Sequence, residues 1–253
     1  MARNPVQHVP SRQNLRNTLG LSREFGFLEF NTIDQVEWWD DFIGDTIHGG
    51  YVTATNGTGA DALAISATGI SGEATIKNGT ADDAYSGFGT GLEWYGQLNC
   101  AMAVRLKTDD IAATKIEVGF TDATDDAGAC NDLDGATFTA TDCAVWAFDT
   151  DDSTDNWKLA STPDGGTNDT VTDTGFAPAA DTYETLIIAL EDTAAHFYRL
   201  DSNGYQTYKA SHTTGPSKDV ALTPWVFTQT REGSDEKTVT VDFIRVWQRR
   251  TVS

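Results

Sequence analysis

The chain has 253 residues, 39% of them hydrophobic, with 17 Lys and Arg against 38 Asp and Glu and a formal charge of -21. That is enough apolar material for one sizeable core, and an all-β domain of this length is commonly a single unit. So acidic a body repels phosphate, which argues against nucleic acid and anionic membrane surfaces as partners. No apolar run approaches the roughly 20 residues of a membrane helix, and no apolar stretch follows the first arginines, so no secretory leader is expected.

In chain order, residues 1–30 read as an extended N-terminal arm and residues 31–253 as one domain. The first twenty-three residues carry Arg3, Arg12, Arg16 and Arg23 and no acid. A cationic stretch this poor in apolar residues cannot bury enough surface to fold alone, so the arm is expected to be tied down by a partner. Phe25, Phe27 and Phe30 follow and could pin it to the body or to a neighbour. From Val36 the hydrophobic period becomes two. Strands are predicted over 36–42, 51–55, 62–67, 73–77, 84–88, 97–107, 115–121 and 143–149, then over 183–191, 195–200, 205–209, 223–229 and 238–248. No window shows a sustained helical stripe. About a dozen strands without helices to cover a parallel sheet imply two antiparallel sheets packed face to face.

The cysteines number three. Cys100 sits in an apolar run and reads as a buried small hydrophobe. Cys130 and Cys143 flank a Gly/Thr/Asp stretch and could close a loop in an oxidising compartment, but spacing alone leaves reduced thiols equally open.

Three stretches carry a family resemblance: Trp38-Trp39-Asp40-Asp41-Phe42, then Asn203-Gly204-Tyr205, and finally Val241-Asp242-Phe243-Ile244-Arg245-Val246-Trp247-Gln248. In this order they resemble the first strand, a hairpin and the last strand of the concanavalin-like jelly roll of legume-type lectins, laminin G-like modules and laminarin-type glucanases. The resemblance implies a two-sheet antiparallel jelly-roll sandwich over about residues 36–250. Three further segments, 40–45, 118–122 and 145–149, resemble jelly-roll structural proteins of tailed phages, which implies attachment rather than turnover. On that resemblance the protein is expected to be a non-enzymatic virion component that decorates a capsid. It would bind the major capsid protein or other virion subunits through the arm, assemble in the host cytoplasm and form a homo-oligomer, a trimer being favoured. The alternative is a carbohydrate-binding, lectin-like module of a host-recognition appendage.

Glucanases of this fold need two carboxylates on one face of a central strand, about 5–5.5 Å apart for a retaining mechanism. On the best candidate strand Glu117 supplies one, but Gly119 and Thr121 stand where the others belong and Asp122 falls on the opposite face. The histidines, His8, His48, His196 and His212, form no metal-spaced pair, and Arg105, His196 and Tyr198 do not match the lyase version of the fold. No cofactor is expected; the weak Ca²⁺ candidates are Asp149, Asp151 and Asp155, beside Asp152 and the Asp122, Asp125, Asp126 turn. Among the aromatics, Trp38, Trp39, Trp94, Tyr95 and Trp157 are weighed as core, interface or sugar-stacking residues, with Trp94, Tyr95 and Trp157 carried forward as the stacking candidates. Adjacent residues on a strand point to opposite faces, so one of each pair is expected outside.

Overall fold

The computed structural model describes residues 35–67, 72–124, 128–166, 168–233 and 235–250. The candidate arm residues Arg3, Arg12, Arg16, Arg23, Phe25, Phe27 and Phe30 lie outside the described residues, as do Asp125 and Asp126.

In chain order the strands are Gln35–Asp40 (β1), Val52–Asn56 (β2), Ala60–Ile65 (β3), Ala74–Asn78 (β4), Tyr85–Gly89 (β5), Ala101–Thr108 (β6), Thr114–Thr121 (β7), Cys130–Asp132 (β8) and Thr137–Phe138 (β9). Then follow Cys143–Asp149 (β10), Lys158–Thr162 (β11), Thr170–Asp173 (β12), Glu184–Glu191 (β13), Ala194–Leu200 (β14), Gln206–His212 (β15), Thr223–Thr230 (β16) and Thr238–Arg249 (β17). They form two large antiparallel sheets. The back sheet has eight strands in the order β15-β14-β13-β6-β17-β4-β3, with β1 also paired to β17; the front sheet has seven in the order β12-β11-β10-β7-β16-β5-β2; β8 and β9 form a separate pair. This is the concanavalin-like two-sheet jelly roll.

The period-two pattern sets the layers. On β7, Ile116, Val118 and Phe120 face inward, and on β10 so do Ala144, Trp146 and Phe148; they meet Met102, Val104, Leu186, Ile188 and Phe197 from the back sheet in one core. Trp146 lies at its centre, edge-on to Trp157 and Phe197. Turns are closed by short acidic residues. At the β14–β15 hairpin the Asp201 carboxylate accepts the N–H groups of Asn203 and Tyr205, both at 2.9 Å, and Gly204 takes φ 81°. The Asn203-Gly204-Tyr205 motif therefore sits in a hairpin, as the resemblance implied, and 241–248 lies in β17.

Four short strands escape the sequence reading: β8, β9, β11 and β12. The run expected over 97–107 starts only at Ala101, because Gly96–Leu98 forms a 3-10 turn ended by Asn99 in the left-handed region.

At one edge of the sandwich His212 on β15 bridges the sheets. Its Nδ1 meets Ser161 Oγ at 2.8 Å and its Nε2 meets Thr172 Oγ1 at 3.0 Å. Two hydroxyls suit a neutral ring, which has one donor and one acceptor nitrogen. Burial pulls its pKa down to about 4. An unfolded histidine protonates near pH 6.5, so this bridge contributes its full stability above pH 6.5 and loses it as the pH falls toward 4, by about 3 kcal/mol in all. Asp152, whose carboxyl burial pushes up to about 6, acts in the opposite sense. The difference between wild type and His212→Asn isolates the histidine. Urea melts at pH 7.5, 5.5 and 4 are expected to show wild type losing about 3 kcal/mol more than the variant.

Candidate functional site

The central strand of the front sheet is where the glucanase reading places its carboxylates. On β7 the residues facing away from the core are Lys115, Glu117, Gly119 and Thr121, the alternates of the core-facing Ile116, Val118 and Phe120. Glu117 is the one carboxylate among them, and it is 1% exposed. Its two oxygens accept the N–H groups of Ala129 at 2.6 Å and Cys130 at 3.0 Å. Lys115, equally buried, stands 3.1 Å from Glu117 Oε1 and also donates to the Cys130 carbonyl. The pair thus clamps the backbone of a crossing segment, residues 128–142, onto the sheet.

That segment is a lid of its own. Ala129, Cys130, Leu133 and Ala140 pack on Cys143, Val145, Ala147 and Ala160, the outward residues of β10 and β11. At its far end Asp122 Oδ1 accepts the N–H groups of Thr141 and Asp142 at 3.0 and 3.1 Å. At its near end Gly128 has φ +69°, and a Cβ there would stand 2.5 Å from Glu117 Oε2 and 3.0 Å from the Phe227 ring, so glycine is required where the chain meets the sheet. Cys130 and Cys143 are buried free thiols within this cluster, and burial pushes both thiols up. Beyond the lid, Trp225 and Phe227 on β16 are buried on the same outward face. The Trp225 indole lies flat along β5, where a Cβ at Gly87 or Gly89 would come within 2.6 to 2.8 Å of its ring. Among the described residues the outward face of the front sheet is buried across β11, β10, β7 and β16, and its exposed residues lie on the two edge strands, Val52 and Asn56 on β2 and Asp173 on β12.

The other sequence candidates fall elsewhere. Trp94 is buried in the core, and Trp157 is fully buried with its Nε1 donating to Glu184 at 2.9 Å. Neither presents a ring to a sugar, which corrects that expectation; Tyr95 is half-buried, its N–H donating to Gln248 Oε1 of β17 at 3.1 Å. The Ca²⁺ candidates also separate. Asp149 is buried and takes Arg231 in a two-pronged pair, at 3.0 Å from Nε and 2.6 Å from Nη2, and Arg231 also lies 3.4 Å from Asp151. A guanidinium occupies the place a cation would need, and Asp155 is exposed outside this network. Among the described residues no group of three or more His, Cys, Asp or Glu is arranged to hold a metal. Arg105, His196 and Tyr198 lie on the back sheet, with Arg105 paired to Asp242 at 2.6 Å.

An open site does occur at the other side of the sandwich. Glu37, Trp38, Trp39, Asp40, Ile43 and His48 are among the residues lining a pocket of about 400 Å³ around β1 and the turn after it. Alternation splits the two tryptophans as expected. Trp38 packs inward, edge-on to His48 at 4.7 Å and Tyr51 at 5.5 Å, while Trp39 is 61% exposed with the Arg245 guanidinium 5.7 Å from its ring. Asp40 Oδ1 caps the turn by accepting the Phe42 N–H at 2.8 Å. His48 Nδ1 accepts the Gly50 N–H, which leaves its hydrogen on Nε2. The carboxylates, the imidazole N–H and one exposed indole make a polar pocket with an aromatic wall.

No family model and no curated protein matches the chain. Among solved structures it is similar to a Shewanella oneidensis MR-1 protein of unknown function, with 15% identity and a TM-score of 0.62 over 99% of this chain and 98% of that one. Peanut lectin matches at 9% identity and a TM-score of 0.58, over 86% of this chain and 99% of its own. The CBM2 module of the evolved Dit protein of Lactobacillus casei BL23 phage J-1 matches at 12% identity and a TM-score of 0.54, over 86% and 97%. Glucanases from Bacillus licheniformis and Mycobacterium marinum share the fold at a TM-score of 0.54. At these identities the likeness is one of fold, the concanavalin-like jelly roll, which serves lectins, glucanases and phage modules alike.

Replacing Glu117 by Ala leaves the Lys115 ammonium buried without its carboxylate and two backbone N–H groups without an acceptor. The expected cost is about 3–5 kcal/mol in denaturant unfolding. The lid should also loosen, so that Cys130 and Cys143 react with a thiol reagent in the folded variant at least tenfold faster than in wild type.

Proposed function

We propose that this protein is a non-catalytic attachment protein of a tailed-phage particle, a jelly-roll body that decorates the capsid by binding its subunits. The observation that carries this reading is the closed front sheet. The strand that would bear the catalytic carboxylates has only Glu117, and Glu117 is spent on holding residues 128–142. A sheet face sealed by its own chain offers neither a hydrolytic pair nor a groove for a glycan chain, so binding falls to edges, pockets and the arm. The phage origin of one fold neighbour supports a place on a phage particle. The four arginines of residues 1–23, ahead of an acidic body, support a charged contact made by the arm. On this reading the partner is the major capsid protein or another virion subunit, the protein acts as a homo-oligomer, with a trimer favoured, and it joins particles assembled in the host cytoplasm.

Purified heads lacking the protein, mixed with wild type or with a variant carrying Ala at Arg3, Arg12, Arg16 and Arg23, test it. Wild type should saturate the heads, and the variant should bind at least tenfold more weakly, which corresponds to about 1.4 kcal/mol. Equal occupancy by both would remove the arm from the attachment.

A second reading, a carbohydrate-binding module, is favoured by one observation: the exposed Trp39 ring beside Glu37, Asp40 and His48 in the β1 pocket. Stacking of a sugar on that indole predicts binding to a defined glycan on an array that Trp39→Ala abolishes. Glycan binding untouched by that substitution would exclude the pocket.

A further inference from the structure

The lid and the sheet beneath it each bring one buried thiol to the same seam. Cys130 begins β8 within the lid and Cys143 begins β10 on the sheet; both are fully buried, unbridged and members of the small apolar cluster between the two. The chain folds back to bring them together. The Ala129 carbonyl accepts the N–H groups of Thr139 and Ala140 at 3.0 and 3.1 Å, and Cys130 lies opposite Phe138 in the β8–β9 pair. Cys143 follows Ala140 by three residues and faces the lid from β10, together with Val145 and Ala147. After burial, the strongest influence on the acidity of each thiol is the other thiol. Cys100 stands apart from them, in the core between the two large sheets.

The seam is apolar, but the contacts that hold it shut are polar. Glu117 takes the amides of Ala129 and Cys130, Lys115 donates to the Cys130 carbonyl, Asp122 takes the amides of Thr141 and Asp142, and Lys158 pairs with Asp134. Under the closed lid both thiols are held protonated by burial and are poor nucleophiles. Lifting the lid hydrates both at once, because Cys130 leaves with it and Cys143 stays on β10. Access and reactivity are therefore coupled to one movement.

We propose that Cys130 and Cys143 are a redox latch: a disulfide between them, made by exchange with a small disulfide such as oxidised glutathione, ties the lid to β10. As the lid lifts, the Cys130 thiolate attacks one sulfur of the small disulfide, a small thiolate leaves, and a mixed disulfide forms. The Cys143 thiolate then attacks the Cys130 sulfur and expels the second small thiolate. The two protein thiols give up two electrons and two protons, and the small disulfide leaves as two thiols. The bridge closes the loop of residues 130–143, so it restrains that segment in the unfolded chain as well as in the folded one. Reduced, the lid depends on buried charges. Bridged, it stays on the sheet even when Glu117 is lost, so the front face is sealed in an oxidising medium and releasable in a reducing one.

The latch rests on the lid alone, so the free full-length protein tests it without any particle. The reduced protein is incubated with excess oxidised glutathione over a series of urea concentrations below the unfolding transition. Peptide mass mapping should find Cys130 joined to Cys143 and Cys100 still a thiol, and bridging should run at least tenfold faster in Glu117→Ala, whose lid is loosened. The bridged protein should melt about 6–12 °C higher than the reduced one, and dithiothreitol should reverse the shift. In Cys143→Ser the same treatment should leave glutathione on Cys130 and no rise in melting temperature. If Glu117→Ala does not fold, the increase of the wild-type bridging rate with urea carries that part of the test. Thiols that stay unbridged at every urea concentration, a bridge that includes Cys100, or a bridged protein that melts no higher than the reduced one would overturn the proposal.

Discussion

The buried Lys115–Glu117 pair is the contact on which the front of the molecule depends. A carboxylate and an ammonium removed from water are costly, and the cost is met only where every remaining lone pair and proton finds a partner. Here Glu117 takes two backbone N–H groups and Lys115 a backbone carbonyl, all from residues 129 and 130. The charges thus fix one place at which the crossing segment can sit. A hydrophobic pair would seal the sheet as well but would not select a register for the chain above it. With the register fixed, Leu133 and Ala140 fall over Val145 and Ala160, and the lid follows.

A two-sheet sandwich has four faces, and the core accounts for two. Most sandwiches leave the other two to solvent, and their strands then read as apolar alternating with polar. This chain does not. β10 is buried at every residue, and β13 at every residue but its last. The front face is covered by residues 128–142, and the outward residues of the back sheet form a second buried apolar cluster around Tyr198 and Trp247. Both outward faces therefore act as secondary cores, and open surface is left to the edges, where the exposed apolar side chains Val36, Trp39, Ile43, Val52 and Leu92 occur.

This explains which parts of the molecule the sequence discloses. Alternation assigns a residue to a face, so the long strands and the split of Trp38 from Trp39 were legible. Alternation does not say whether a face is covered. Glu117 has the same spacing whether it meets solvent, a substrate or Ala129, and only the fold tells these apart. The short strands β11 and β12 escaped for a related reason. Lys158, Ser161 and Thr162 are polar yet buried, satisfied by Asp134, Asp152, His212 and the turn after β11, so they imitate a loop. Trp94 and Trp157 mislead in the opposite direction, since nothing in their neighbours marks them as interior. Asp149 and Asp151 look like calcium ligands until Arg231, eighty residues on, arrives between them.

Closing the groove has a consequence for how the protein can bind anything. A sealed sheet face gives no groove, so on the proposed reading specificity comes from edges, from the pocket at β1 and from extended chain. An extended segment is an effective binding element only when one end is anchored, because anchoring limits the volume its free end explores and raises its effective concentration at a neighbouring surface. The charge distribution fits such a device. Removing the four arginines of residues 1–23 from a total of -21 leaves -25 on the remainder, so on the proposed attachment reading any surface these arginines bind competes with the field of the chain's own acidic residues. Binding that depends on such competition weakens as salt screens both attractions, which separates an electrostatic arm from one that attaches through its aromatic residues.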